Sequence, residues 1–269
     1  MHNNIFFNRM AEPKYRIGLA LSGGGAKGIA HLGVLQALDE RGIKPNIIAG
    51  VSAGAIVAAL YADGHSPREC CVFLHDSDYF QYISLGLRTG KGIMSNKRLH
   101  KLLGDFIKAK TFEELQIPIV VNATELIEGK NYYFERGPLI DKIVASSSFP
   151  IALTPTEIKG KIFVDGGILC NMPARIIRPR CQHLIGVHVN PIMTEGKINN
   201  IKNIADRVYH LMIQGNTITE KAVCDLMIEP VKARNFGMFD KSKAKQLFKI
   251  GYEAAQEVFK NHPEFIKML

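Results

Sequence analysis

Ser52 has the clearest chemical potential in this chain. It stands in Gly50-Val51-Ser52-Ala53-Gly54, after the apolar run Ile47-Ile48-Ala49 and before the small-residue stretch Ala55-Ile56-Val57-Ala58-Ala59-Leu60. G-x-S-x-G between a short apolar strand and a helix is a nucleophile elbow, a tight turn that lifts a hydroxyl out of a sheet. The glycines are needed because the turn is strained and the helix passes close to neighbouring backbone. The helix that follows also aims N–H groups and a positive dipole end at the chemistry. In a chain with 24 glycines the competing reading is a chance match. The flanking strand and helix are what weigh against it.

A second candidate precedes it. Gly23-Gly24-Gly25-Ala26-Lys27-Gly28 follows the apolar strand Tyr15–Leu21 and opens a helix marked by Ile29, Leu32, Leu35 and Leu38, with Gly42 as its stop. Gly23, Gly25 and Gly28 fit G-x-G-x-x-G, the dinucleotide fingerprint of an oxidoreductase. That fingerprint wants an acidic residue at the end of the next strand, where this chain has Gly50-Val51-Ser52. A Walker A loop fails too, because Gly28 follows Lys27 where Ser or Thr is required. The remaining use is an oxyanion site: bare backbone N–H groups close to a serine nucleophile. Loop and elbow follow adjacent strands, so both fall at one sheet edge.

The acid or base is harder to choose. Ile162-Phe163-Val164 is a strand that delivers Asp165-Gly166-Gly167, and an aspartate there either faces a site or bonds its own turn. His188, near the end of the expected strand Leu184–Val189, is the rival base. With His188 the enzyme would be a triad hydrolase, Asp165 merely orienting the ring. The serine run Ala145-Ser146-Ser147-Ser148-Phe149-Pro150 lacks elbow glycines and reads as helix capping and packing.

These residues need a scaffold. Strand, glycine loop, helix, strand, elbow, helix is the opening of a parallel α/β sheet. Ser66-Pro67-Arg68-Glu69 is a capping box that starts a helix. Residues 76–95 mix Tyr79, Phe80, Tyr82, Ile83, Leu85 and Leu87 with glycines, and suit either a lid or an ordinary connection. Ser95 caps a helix bearing Leu99, Leu102, Leu103, Phe106 and Ile107. Ile119–Ala123 turns through Glu128-Gly129-Lys130 into Tyr132-Tyr133-Phe134, and Pro138–Val144 is helical. A turn at Lys159-Gly160 leads to the Asp165 strand. Asn203–Gln214 is an amphipathic helix, Leu226-Met227-Ile228 a last strand, and Asp240 to Phe259 a closing helix. Residues 1–14 form an N-terminal extension, 15–269 one domain, and 192–269 its helical C-terminal part.

At 269 residues, with 46% hydrophobic and 22% charged residues, the composition is that of an ordinary globular protein. Lys and Arg number 34 against 25 Asp and Glu, a net charge of +9 that suits an anionic partner without choosing between lipid headgroups and other polyanions. Cys70, Cys71, Cys170, Cys181 and Cys224 are odd in number and hold no C-x-x-C. They read as free thiols in a reducing compartment, not a metal cluster or disulfide framework. The polar N-terminus has no signal-peptide core, and no apolar run is long enough to span a bilayer, so a cytoplasmic protein is expected.

In order, Gly23-Gly24-Gly25-Ala26-Lys27-Gly28, Gly50-Val51-Ser52-Ala53-Gly54, Ala145–Pro150 and Asp165-Gly166-Gly167 resemble the patatin-like phospholipase family, over anchors from Arg16 to Pro191. The combination is specific where each motif alone is not. The resemblance implies a mainly parallel sheet flanked by helices in a three-layer sandwich. It implies lipid acyl hydrolysis by a Ser–Asp dyad, with no metal, cofactor or nucleic acid. By the match Ser52 is the nucleophile, Asp165 the base, and Gly24 and Gly25 the oxyanion hole. Gly23, Lys27, Gly28, Gly50, Gly54, Gly166 and Gly167 support them. Expected partners are a lipid or ester substrate, anionic phospholipid at the inner face of the membrane, and a second copy in a homodimer. A non-catalytic membrane-binding module keeping the fold is the other class of reading.

Overall fold

The structure is a computed structural model that describes residues 12–77, 95–150, 152–191, 201–237 and 243–269. In chain order its strands are β1 (Tyr15–Leu21), β2 (Ile47–Val51), β3 (Ile119–Glu125), β4 (Lys130–Phe134), β5 (Thr156–Ile158), β6 (Lys161–Asp165), β7 (Cys181–Val187) and β8 (Leu226–Ile228). They form one mixed sheet. β1 pairs in parallel with β2 and β7, β2 with β3, and β7 with β8. β4, β5 and β6 are the antiparallel members. β2 and β3 are buried along their whole length and β1 from Ile17 onward, as strands covered on both faces must be. The apolar runs of β1 and β2 follow from that, while β3 buries Asn122, Thr124 and Glu125 as well.

Helices α1 (Ile29–Asp39), α2 (Ala53–Ala62), α3 (Pro67–Asp76), α4 (Lys97–Phe106) and α5 (Ile140–Ser146) precede α6 (Ile201–Lys221), α7 (Ala244–Asn261) and α8 (Pro263–Met268). The larger core buries α1, α2 and α7 against Ile17, Leu19, Leu21 and Ile48. A smaller one on the opposite side joins Ala20, Ile47, Ala49 and Val120 to Met172, Ile177 and Leu184. The sheet is therefore the middle of three layers, the α/β sandwich expected. α1 and α7 touch backbone to backbone. A Cβ on Gly33 would lie 2.0 Å from the Phe248 carbonyl oxygen, and one on Gly251 1.9 Å from that of Ala30. Only glycine fits both places.

The capping box forms: the Ser66 hydroxyl accepts from the Glu69 amide at 3.3 Å, and Glu69 accepts from the Ser66 amide at 2.8 Å. Other boundaries move for physical reasons. β7 runs from Cys181 to Val187, because its ladder with β1 begins at Tyr15↔Cys181 and stops where β1 stops, at Leu21↔Val187. His188 thus lies beyond the strand. Asn96, not Ser95, takes the cap position of α4, and its amide is bonded to Thr154 and Thr156. α5 begins at Ile140 and continues into the serine run. α6 runs on through Gly215 to Lys221, held by tertiary contacts that a local pattern does not contain. The expected lid, Asp240 and the N-terminal extension up to residue 11 fall outside the described residues. No helix among the described residues is long and apolar enough to cross a membrane.

Candidate active site

The register of β3 decides which side chains meet. β4 pairs with Val121 to Glu125 of β3, overlapping both β2, which pairs with Ile48↔Ile119 to Val51↔Asn122, and β6, which pairs with Ala123 to Glu125. A strand edge takes one neighbour at each position. β4 therefore fills one edge, and β2 and β6 share the other end to end. β2 is parallel to β3 and β6 antiparallel, so their C-termini point at each other. Val51 lies opposite Asn122, Asp165 opposite the next residue, Ala123. The residue after Val51 is Ser52.

Ser52 has φ 53° and ψ −123°, a left-handed backbone conformation that a side chain rarely adopts. Such strain costs about 1–3 kcal/mol and persists only where surroundings enforce it. The elbow glycines do so. A Cβ on Gly50 would meet the Gly54 carbonyl oxygen at 2.6 Å, and one on Gly54 would meet that of Leu21 at 2.4 Å. Helix α2 is thereby pressed onto the ends of β1 and β2. The Ser52 amide donates to the Ser146 hydroxyl at 2.9 Å. The Asp165 amide donates to the Ser148 carbonyl at 2.9 Å. The serine run at the end of α5 therefore holds both residues, a packing role whose partners its sequence did not show.

Asp165 is buried, and one carboxylate oxygen accepts from the Gly167 amide at 2.8 Å. Burial pushes its pKa up to about 6, while hydrogen bonds from the Ser52 hydroxyl and the Gly167 amide pull it down. A Cβ on Gly166 would lie 2.4 Å from the Asn122 carbonyl oxygen. The Asn122 side-chain Nδ2 donates to the carbonyls of Gly166 and Cys170 at 3.2 and 2.8 Å, fixing the turn that carries Asp165.

The glycine loop is brought against Ser52. A Cβ on Gly23 would sit 2.5 Å from the Asn171 side-chain oxygen and 3.3 Å from the Ser52 Cβ, and one on Gly28 2.5 Å from the Ala53 Cβ. Gly25 has φ +58°. Among the described residues, the amides of Gly24 and Gly25 donate no hydrogen bond. Ser52 and Gly25 are partly exposed where their neighbours are buried, so solvent reaches this point of the sheet edge. Lys27 is buried and donates to the Asn190 side chain at 2.9 Å.

His188 is placed elsewhere. It is fully buried, with its Nδ1 3.0 Å from Glu229, and burial lowers its pKa. Glu229, drawn down to about 2 chiefly by His188, also binds Lys221. The Ser52 hydroxyl acts on the ionisation of Asp165, and His188 is not among the groups that shift it. Asn122, Asn171 and Asn216 were not singled out by sequence. Asn216 bridges the Asn171 amide and the carbonyls of Gly167 and Ile168 at 2.9–3.1 Å. Buried or half-buried amides that satisfy turns carry no motif, and only the topology reveals them.

Comparison with known proteins adds four findings. The family model described as patatin-like phospholipase matches residues 19–178. An uncharacterized NTE family protein of Mycobacterium bovis is 38% identical over 168 residues, taking in 59% of this chain and 44% of that protein. A lysophospholipase, NTE1, of Candida glabrata is 31% identical over 189 residues, 65% of this chain and 10% of that one. The chain thus spans less than half the length of these curated relatives. Among solved structures, VipD from Legionella pneumophila superposes with a TM-score of 0.55 at 17% identity, over 93% of this chain and 67% of that one, a likeness of fold.

Proposed function

The chain belongs to the patatin-like phospholipase family, and from that premise we propose that it is a serine acyl hydrolase cleaving carboxylic esters of lipids through a Ser52–Asp165 dyad. One observation supports the reading: the head-on meeting of β2 and β6 along β3, which brings the Ser52 turn up against a buried carboxylate. A carboxylate with its reference pKa of about 3.9 is a weak base for serine. Burial raises that basicity, and the ionised form near neutral pH accepts the proton.

Ser52 Oγ attacks the ester carbonyl as its proton passes to Asp165. The developing oxyanion is met by the Gly24 and Gly25 amides. Collapse of the tetrahedral intermediate breaks the bond to the alcohol, which takes the proton from Asp165, and leaves an acyl group on Ser52. Water, deprotonated by Asp165, then releases the acid. Backbone donors of this kind, held by the loop, would cost no reorganisation. The loop's closeness to Ser52 supports an oxyanion role over dinucleotide binding.

Residues 15–269 would act as one hydrolase unit, cytoplasmic and peripheral on anionic phospholipid. The test is hydrolysis of a short-chain p-nitrophenyl ester by wild type and Ser52→Ala. The alanine variant should retain less than about a thousandth of wild-type activity while remaining folded. Equal activity in both would remove Ser52 as nucleophile, and an inert wild type would favour a non-catalytic module.

A further inference from the structure

Among its described side chains, helix α6 turns polar ones to the protein and apolar ones to solvent. Inward it carries Asn216 and the buried Thr217 and Glu220, with Ile213 among them. Asn216 holds the turn after Asp165, and Glu220 accepts from the Arg175 backbone amide and Nε, both at 2.7 Å. Outward it carries Ile204, Val208, Leu211, Met212 and Ile218, four of them 50–59% exposed. Their spacing sets them along one stripe of the helix. These five are among twelve large hydrophobics exposed across the described residues, and no other element gathers more than two. A soluble surface scatters such residues singly, whereas a contiguous stripe marks a contact face.

The stripe is tied to the candidate site. Asn216 bonds the carbonyls of Gly167 and Ile168, directly after Asp165, and the next residue, Leu169, is itself exposed. Arg175, beside Glu220, leaves most of its side chain in solvent, and the chain as a whole carries +9. A helix apolar on one side, too polar overall to span a bilayer, in a basic protein, suits the headgroup boundary of an anionic membrane. We propose that the outer face of α6 docks the protein onto an anionic lipid surface and so sets the mouth of the Ser52–Asp165 site at the interface. This rests on the lipid-hydrolase reading, because only a lipid substrate would have to be drawn from such a surface.

The test measures binding without turnover. Ser52→Ala protein is sedimented with sucrose-loaded vesicles of phosphatidylcholine and phosphatidylglycerol, alone and with Val208→Asp plus Leu211→Asp. Ile127→Asp, on the exposed β3–β4 turn, is the control. The double variant should lose about tenfold or more in vesicle partitioning, while the control changes less than about twofold. Both α6 positions are half exposed, and unchanged circular dichroism and melting confirm the fold. If it fails to fold, Val208→Ser with Leu211→Ser replaces it. Equal partitioning of parent and double variant overturns the proposal. So does a parent that ignores vesicles but sediments as a dimer which the variant disperses, for then the stripe covers a second copy. A failed ester assay on the wild type would count against hydrolysis alone, since vesicle binding is read on a protein that cannot turn over.

Discussion

Ser52 and Asp165 are 113 positions apart in sequence, yet β2 and β6 run head-on along one edge of β3, so that Ser52, directly after Val51 opposite Asn122, comes up against Asp165 opposite Ala123. The arrangement costs strain at Ser52 and the burial of a carboxyl group at Asp165. Both costs can be measured, and so can their use.

Activity should follow the ionisation of Asp165. Its pKa is raised to about 6, and the base works only when ionised. The kcat/KM for a soluble ester is therefore expected to be level above neutrality and to fall about tenfold for each pH unit well below 6. A profile that stays level down to pH 4.5 would speak against a buried carboxylate as base.

The same burial predicts a stability effect of opposite sense. A carboxyl group held near 6 in the folded chain, against 3.8 when free, favours the protonated form. Ionisation therefore destabilises the fold as pH rises through that interval, by up to about 3 kcal/mol. Asp165→Asn should raise the melting temperature at pH 8 and change it little at pH 3.5, while activity falls about a thousandfold or more. A lower Tm at pH 8 would mean the carboxylate is structurally stabilising.

The chemistry was more legible than its scaffold. Gly50, Ser52, Gly54, Gly23 to Gly28 and Asp165 stand out because elbow, loop and strand-end turns each impose a local residue pattern. What brings Ser52 to Asp165 is the register of three strands, which no local pattern records. The same is true of Ser146, whose hydroxyl receives the Ser52 amide from 94 residues away. The amphipathic pattern places the end of α6 at Gln214, whereas the helix runs on to Lys221. There Asn216 is bonded to the Asp165 turn, and the Thr217 hydroxyl bonds back to the Ile213 carbonyl at 2.7 Å. His188 is a rival base by its place near the end of an expected strand Leu184–Val189, and β7 ends at Val187, before it.

Ser146→Ala removes the acceptor for the Ser52 amide without touching substrate. We expect kcat to fall about tenfold to a hundredfold with KM nearly unchanged, as for a positioning group. Stability should fall by about 1–3 kcal/mol, since a buried donor loses its partner. A rise in KM alone would assign Ser146 to substrate binding.

The strain at Ser52 can be relieved. Glycine adopts φ near 53° freely, so Ser52→Gly should match or exceed wild type in Tm while being inactive. Gly54→Ala should do the reverse, because its Cβ would meet the Leu21 carbonyl oxygen at 2.4 Å. We expect it to lose about 2 kcal/mol or more. A neutral Gly54→Ala would show that α2 is not pressed against β1.

The most direct test of the dyad is covalent labelling with a fluorophosphonate, read by intact-protein mass spectrometry and mapped by peptide. Only a serine activated by a base reacts readily. The account predicts one label, on Ser52, in wild type and in His188→Gln, and at least about a hundredfold slower labelling in Asp165→Asn. A label on another residue, or a folded His188→Gln that resists the probe while Asp165→Asn still reacts, would contradict it.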